Sequence, residues 1–164
     1  MRDINRRGDG HDAGGDPREA RRHIVAFRCA GSSAHGGPSQ AATEDGPLPV
    51  HEISVPCSGR LQPEHLLKAF ETGADLVLLL TCGDGDCRYL EGRRRIQQRV
   101  DYVRGLLDEV GLGGERLLVL ESPAGASGRT DATPQPDMIH EALAAALAGL
   151  APNPLGRSSD ERVD

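Results

Sequence analysis

The chain has 164 residues, of which 27% are charged and 2% aromatic, and its formal net charge at pH 7 is -6. A chain of this length can bury a core as one domain without disulfides or metals to hold it together. Its arginines and acids are interspersed, so it offers no basic stripe for nucleic acid and no polybasic arm for an anionic membrane. Composition therefore predicts neither nucleic-acid binding nor membrane binding.

Residues 1–22 mix arginines with acids and glycines and show no hydrophobic periodicity, so we expect a disordered tail. This segment lacks the apolar stretch of a signal peptide, and no part of the chain approaches the roughly 18 apolar residues of a membrane span. We therefore expect a cytoplasmic protein. In that compartment the four cysteines are expected to be free thiols, metal ligands or redox groups rather than structural disulfides.

Strands and helices are predicted to alternate over residues 23–151, which we expect to form one domain. The apolar residues of His23–Cys29 predict the first strand, and the apolar-polar alternation of Val50–Val55 predicts the second. Between these strands, residues 33–49 are rich in Gly, Pro, Ser and Ala and are expected to hold at most a short helix around residues 38–43.

The first clear helix is predicted to begin at Pro63, where the missing N–H of proline costs nothing, and to end at Gly73. The uninterrupted apolar run Leu76–Leu80 follows at once. Because the run is too short for a helix and stops abruptly at a cysteine- and glycine-rich turn, it predicts a buried third strand.

The second helix is indicated by apolar residues from Ile96 to Val110 at spacings of 4, 3, 4 and 3, and Gly111 ends it. A fourth strand is predicted over residues 116–120, and a third helix begins at Pro136. Residues 152–164 are expected to form a second disordered tail. Four arginines of the second helix are interpreted as a solvated face, with a docking patch as the alternative: Arg93, Arg94, Arg95 and Arg99.

This alternation predicts an α/β fold, a small doubly wound, flavodoxin-like parallel sheet of four strands in the order 2-1-3-4 with right-handed crossovers. In such sheets the ligand site lies beyond the carboxyl ends of the strands. Cys29, Cys57 and Cys82 lie at the ends of three strands that are adjacent in this order, about 4.8 Å apart. Because Cys87 lies in the adjoining loop, all four thiols can converge.

Converging thiols allow several kinds of chemistry. Four thiolates satisfy tetrahedral zinc or a small iron-sulfur cluster, although only Cys82 and Cys87 are close in sequence, whereas structural zinc sites use two close pairs. The Cys-x5-Arg spacing from Cys82 to Arg88 also fits the anion loop of a cysteine phosphatase, but Asp84 and Asp86 place negative charge where the phosphate would bind. A thiol-disulfide pair of Cys82 with Cys87 and simple burial as small apolar residues are the remaining interpretations.

Three linked segments carry a family resemblance: Val55–Arg60 (VPCSGR), Lys68–Asp75 (KAFETGAD) and Cys82–Gly92 (CGDGDCRYLEG), with Arg99 in the following helix. Over about residues 23–124 the chain resembles the delta subunit of methyl-viologen-reducing hydrogenase. In that family the iron-sulfur subunit links a nickel-iron hydrogenase or a formate dehydrogenase to heterodisulfide reductase. Three motifs in register are far more specific than any one of them.

The resemblance implies a 2Fe-2S cluster and an electron-transfer subunit without a substrate site of its own. It implies as partners the subunits of a hydrogenase or formate dehydrogenase and a flavoprotein like the one in heterodisulfide reductase. A cluster-free scaffold subunit, or a redox or phosphatase enzyme that uses Cys82, is the alternative. The implied cluster ligands are the four cysteines of the chain: Cys29, Cys57, Cys82 and Cys87.

The chain departs from the family pattern at the end of the first strand, where the pattern is Phe-x-Cys-x-x-Cys. Phe27 and Cys29 match, whereas Ser32 stands where the second cysteine is expected. One of five family cysteines is thus missing, and the remaining four suffice for one cluster if the missing cysteine is not a ligand. His35, close in sequence to Cys29, is a fallback ligand.

Overall fold

The structure of the protein is a computed structural model that describes residues 22–32, 42–43, 46–47, 49–83, 87–89, 91–121 and 136–155. In these ranges no helix combines the length and the apolar character needed to cross a membrane. The elements are β1 Ile24–Cys29, β2 Ala42–Thr43, β3 Gly46–Pro47, β4 Val50–Val55, α1 Pro63–Glu71, β5 Leu76–Thr81, α2 Gly92–Glu109, β6 Leu117–Glu121 and α3 Pro136–Ala148.

Four strands form one parallel sheet in the order β4-β1-β5-β6. This confirms the predicted α/β fold and the predicted order 2-1-3-4. The central strand β1 aligns Cys29 with Val55 at the end of β4, and Arg28 with Leu80 near the end of β5. The carboxyl ends of the three strands therefore lie side by side at one edge of the sheet.

The short helix expected around residues 38–43 is wrong for Ala42–Thr43, which instead pairs in antiparallel fashion with Gly46–Pro47 as β2 and β3. The residues Asp45-Gly46-Pro47 are a strong turn signal, and proline and glycine both oppose continuation of a helix. Residues 38–41 lie outside the described residues, as do 1–21 and 156–164 of the two expected tails.

The sheet is buried on both faces, and alternate residues of the central strands point to different helices. Helices α1 and α2 cover one face and α3 covers the other. All six residues of β5 are buried, which explains why this strand is a continuous apolar run rather than an alternating one. Val25, Phe27, Val77 and Leu79 pack toward α1 and α2, whereas Ile24, Ala26, Leu76, Leu78 and Leu80 pack toward α3.

A buried polar contact joins the segment after α3 to the start of β5. The Asp75 carboxylate accepts the backbone N–H groups of His23 at 2.8 Å and Asn153 at 2.6 Å. The side-chain amide of Asn153 donates to the carbonyl groups of Phe70 at 3.0 Å and Ala74 at 2.7 Å. Asn153 is 5% exposed, so this residue of the segment expected to be a tail is part of the packed structure.

We predict that Asp75→Ala lowers the free energy of unfolding by about 2–6 kcal/mol, because it leaves one buried and one partly buried N–H donor without an acceptor and each costs about 1–3 kcal/mol. Chemical denaturation measures the change. The control is Asp101→Ala on the exposed face of α2, which should change stability by no more than about 0.5 kcal/mol. Equal stability of the two variants would contradict the role assigned to Asp75.

Candidate functional site at the carboxyl edge of the sheet

The four cysteines gather at the carboxyl edge of the sheet. Cys29 is the last residue of β1, Cys57 follows β4 after one proline, and Cys82 follows β5 directly. Cys87 lies in the loop that leads to α2. Cys29, Cys57 and Cys82 are buried, Cys87 is partly exposed, and all four are free thiols.

The thiols of Cys29 and Cys82 are in direct contact, with 3.2 Å between their Sγ atoms. A disulfide bond would bring the sulfurs to about 2.05 Å. Two thiolates on one tetrahedral metal, each at about 2.3 Å from it, would be about 3.8 Å apart. The observed separation lies between these values and corresponds to a hydrogen bond between two thiol groups. A modest outward movement would bring the sulfurs to the metal-binding separation.

The thiols of Cys57 and Cys87 meet over the first residue of α2. A Cβ atom added to Gly92 would lie 2.8 Å from Sγ of Cys57 and 3.0 Å from Sγ of Cys87. A Cβ atom on Gly59 would lie 2.5 Å from Cα of Gly92, so the turn that carries Cys57 packs directly on the helix backbone. Glycine at both positions is therefore required for this second pair of sulfurs to approach.

The first pair of thiols has a similar glycine beside it. A Cβ atom on Gly31 would lie 2.7 Å from Sγ of Cys82. Gly59 and Gly92 belong to the segments that carry the family resemblance, but neither Gly31 nor Gly92 is recognisable as a sulfur contact from spacing alone. Both become evident only when the loops after β1 and before α2 are placed next to each other.

The buried thiols of the first pair differ in acidity. Burial raises the pKa of Cys29, but hydrogen bonds from the backbone N–H groups of Gly31, Ser58 and Ser32 and from the Cys82 thiol lower it, and the net shift is downward. Burial, the contact with Cys29 and the charges of the other cysteines together raise the pKa of Cys82 to about 12. Of the two thiols, Cys29 is therefore the one that loses its proton first.

Cys57 also resists ionisation. Burial raises its pKa, the charges of Cys29 and Cys87 and a hydrogen bond with Cys87 raise it further, and the N–H group of Gly59 only partly opposes them. The four sulfurs are thus close enough for each ionisation to oppose the next. Such a set favours a bound cation that neutralises the thiolates.

The serine at the position of the missing family cysteine is turned toward the backbone. Ser32 is 1% exposed, its hydroxyl donates to the carbonyl of Cys29 at 2.6 Å, and its N–H group reaches the same carbonyl at 2.9 Å. The side chain closes the turn that follows β1. His35, Asp84 and Asp86 lie outside the described residues.

Arg99 is not part of a solvated helix face, and the interpretation of it as such was wrong. Its guanidinium Nη1 donates to the carbonyl groups of Gly59 at 2.7 Å and Leu61 at 2.6 Å. This side chain thereby ties α2 to the turn that carries Cys57. The backbone acceptors it uses cannot be recognised in a sequence, which is why composition suggested solvent exposure instead.

In the part of the chain that the structure describes, no three or more His, Cys, Asp or Glu side chains are arranged as a preformed metal site. The thiols are instead placed as two pairs, Cys29 with Cys82 and Cys57 with Cys87. An α/β sheet that collects buried thiols and N–H donors at one edge places cysteine where it can serve metal or redox chemistry.

Comparison with known proteins identifies the family. The model of the family described as methyl-viologen-reducing hydrogenase, delta subunit, matches residues 24–134, and the chain belongs to this family. It is 33% identical over 135 residues to the vhu iron-sulfur subunit of the F420-non-reducing hydrogenase of Methanocaldococcus jannaschii, and the match covers 80% of this chain and 95% of the relative. These matches confirm the resemblance drawn from the cysteine motifs.

Two further relatives cover shorter segments. The iron-sulfur subunit of the F420-non-reducing hydrogenase of Archaeoglobus profundus is 40% identical over 82 residues, which are 50% of this chain and 59% of the relative. One subunit of the ferredoxin:CoB-CoM heterodisulfide reductase of Methanosarcina mazei is 35% identical over 74 residues, which are 45% of this chain but only 9% of that protein. A segment related to this chain is therefore contained in a much larger reductase polypeptide.

We predict that Gly92→Ala destabilises the protein by about 1–3 kcal/mol, because the added methyl group overlaps two sulfur atoms in a packed region. The control is Gly105→Ala in the same helix, where an added Cβ atom meets nothing within 4 Å. That variant should gain about 0.5–1 kcal/mol from the better helix propensity of alanine. Thermal or chemical unfolding of both variants measures the difference, and a harmless Gly92→Ala would contradict the contact.

Proposed function

We propose that the protein is an electron-transfer subunit that holds a 2Fe-2S cluster on Cys29, Cys57, Cys82 and Cys87 and relays electrons between a hydrogenase and a heterodisulfide-reductase-like partner. The observation that carries the proposal is the arrangement of four free thiols at one sheet edge. The cluster would supply one-electron redox chemistry, for which the chain offers the ligands but which no side chain provides by itself.

The pairing of the thiols favours a two-iron cluster over a single metal ion. In a 2Fe-2S cluster each iron takes two protein ligands, and the protein presents two thiol pairs, Cys29 with Cys82 and Cys57 with Cys87. A mononuclear zinc site would instead need all four sulfurs about 3.8 Å from one another. Three of the four ligands lie at strand ends, which gives them the rigid support that a cluster requires, and Cys87 lies in the loop that leads to α2.

The groups around the sulfurs also suit a cluster. The N–H groups of Gly31 and Ser58 act on the Cys29 sulfur, and that of Gly59 acts on the Cys57 sulfur. Such donors stabilise thiolate ligands and tune their electron density. The glycines beside the sulfurs leave space that a Cβ atom would fill.

The partners are proposed from the names of the relatives. Relatives that cover most of this chain are called iron-sulfur subunits of F420-non-reducing hydrogenases, and another related segment belongs to a heterodisulfide reductase. We infer that the chain joins a hydrogenase to the flavoprotein of such a reductase, and that formate dehydrogenase is an alternative electron source. We also propose a cytoplasmic location, which is where the expected electron donor and acceptor would meet the protein.

The structure disfavours one of the two enzymatic alternatives, a phosphatase, and favours the other, a thiol-disulfide couple. A phosphatase nucleophile needs a thiolate at neutral pH, and the pKa of Cys82 is raised to about 12, which counts against that function. A thiol-disulfide couple is favoured by one observation, the 3.2 Å contact, but it joins Cys82 to Cys29 rather than to Cys87. This couple is the second candidate function.

The proposal predicts that protein purified without oxygen contains about two iron and two acid-labile sulfide ions per chain. Reduction should give an EPR signal of spin one half, because one electron enters a pair of coupled irons. Cys29→Ser and Cys57→Ser should each lose most of the iron. A chain that takes up neither iron nor sulfide after reconstitution, and forms a Cys29–Cys82 disulfide on oxidation, would contradict the cluster and support the second candidate.

The missing fifth cysteine provides an independent test. We predict that Ser32→Cys leaves the iron content unchanged, because four thiols already supply the ligands and the side chain of residue 32 faces the Cys29 carbonyl. Ser32→Ala should also retain iron while losing about 1 kcal/mol of stability with its hydrogen bond. A clear rise in iron content in Ser32→Cys would contradict the ligand assignment.

A further inference from the structure

Cys87 is the one thiol of the described site with access to solvent. The other three cysteines are 2–5% exposed, whereas Cys87 is partly exposed and is followed by the exposed residues Arg88 and Tyr89, the latter at 57%. An electron that leaves or enters a centre held by these thiols has its shortest way to the surface beside Cys87. The side chains around this thiol therefore face any redox partner.

Arginine is concentrated around this opening. The first turn of α2 carries Arg93, Arg94 and Arg95 and no acidic residue, and Glu91 at the N-cap is the only carboxylate at this end of the described helix. Positive charge at a helix N-terminus opposes the helix dipole. Arg60 belongs to the turn that packs on Gly92, so it lies near the same place. Helix stability does not explain this arrangement, and a local conflict of this kind points to a function.

Part of this positive charge is neutralised and part is not. Arg93 pairs with Glu121 at 2.7 Å and Arg95 with Glu91 at 2.8 Å. Among the described residues, no carboxylate lies within ion-pair distance of three exposed arginines on the segments around Cys87: Arg60 in the turn after Cys57, Arg88 next to Cys87, and Arg94 in the first turn of α2.

We propose that these three arginines and Tyr89 form the docking surface for an acidic redox protein, which exchanges one electron with this protein beside Cys87. The proposal rests on the proposed electron-transfer function and adds the site and charge of the partner. The arginines stand on three different segments and are all exposed, so they suit an extended acidic surface rather than an enclosed small anion. Opposite charge would orient the partner and raise its rate of association.

The first test uses the metal-free chain and needs no partner. Cys87 is modified with a negatively charged sulfonatoethyl methanethiosulfonate and with the positively charged trimethylammonium-ethyl analogue, and peptide mass spectrometry gives the rate at this cysteine. At low salt we expect the ratio of the anionic to the cationic modification rate to be higher at Cys87 than for a free thiol in solution. A single positive charge about 7 Å from a thiol changes the rate for a charged reagent about threefold in water, so the effect of each arginine is within reach of the measurement.

Arg88→Gln and Arg94→Gln should each reduce this preference, and the double variant should nearly abolish it. The control is Lys68→Gln, which removes a positive charge from the exposed face of α1 and should change nothing. An unchanged preference in the double variant, or a faster cationic reagent, would overturn the proposal. Suppression by millimolar phosphate at constant ionic strength would also overturn it, because the arginines would then form a small-anion site.

The second test uses the iron-loaded protein, whose iron and sulfide are measured first. Reduced protein is reoxidised by ferricyanide, an anion, or by hexaamminecobalt(III), a cation, and each oxidant takes one electron. Ferricyanide should react more slowly as salt rises and several-fold more slowly with Arg88→Gln, while the cobalt complex shows the opposite trends. A loaded protein without this charge preference overturns the docking surface alone, whereas a protein that binds no iron overturns the electron-transfer function as well.

Discussion

The parallel pairing of β1 with β4 on one side and β5 on the other is the constraint on which the rest of the structure depends. It aligns three carboxyl ends at one edge, and a cysteine stands at each end or within two residues after it. Residues far apart in sequence thereby become neighbours without any covalent link. The core on both faces of β5 fixes this register, because a slip of one residue would turn the buried side chains to the wrong face.

Close contacts between backbone and sulfur convert this alignment into a defined site. Gly31 and Gly92 let backbone approach the two thiol pairs, and Arg99 binds the turn of Cys57 to α2. Burial raises the pKa of Cys82 and Cys57, and the neighbouring thiols raise it further. Ionising four neighbouring, mostly buried thiols without a counter-charge is energetically unfavourable. The positive charge of the iron ions in the proposed cluster would offset this free-energy cost.

Sequence patterns were sufficient for the fold because each element has a local signal, such as the apolar run of β5 or the glycine that ends α2. They were also sufficient to bring the cysteines to one edge, since strand order follows from right-handed crossovers. Three features could not be predicted: the β2–β3 pairing, the Asn153 contact with Asp75, and the sulfur contact of Gly92. Each depends on contacts between groups that are distant in sequence. The hydrogen bonds of a side-chain amide, or the space beside a glycine, leave no periodic pattern in the sequence from which such contacts could be predicted.

The most direct measurement of the central claim is a crystal structure of the anaerobically prepared protein, with anomalous difference maps recorded at the iron absorption edge. The account predicts two adjacent iron peaks at the carboxyl edge of the sheet, one between the sulfurs of Cys29 and Cys82 and the other between those of Cys57 and Cys87. A single metal peak surrounded by all four sulfurs, or iron bound elsewhere in the chain, would contradict it.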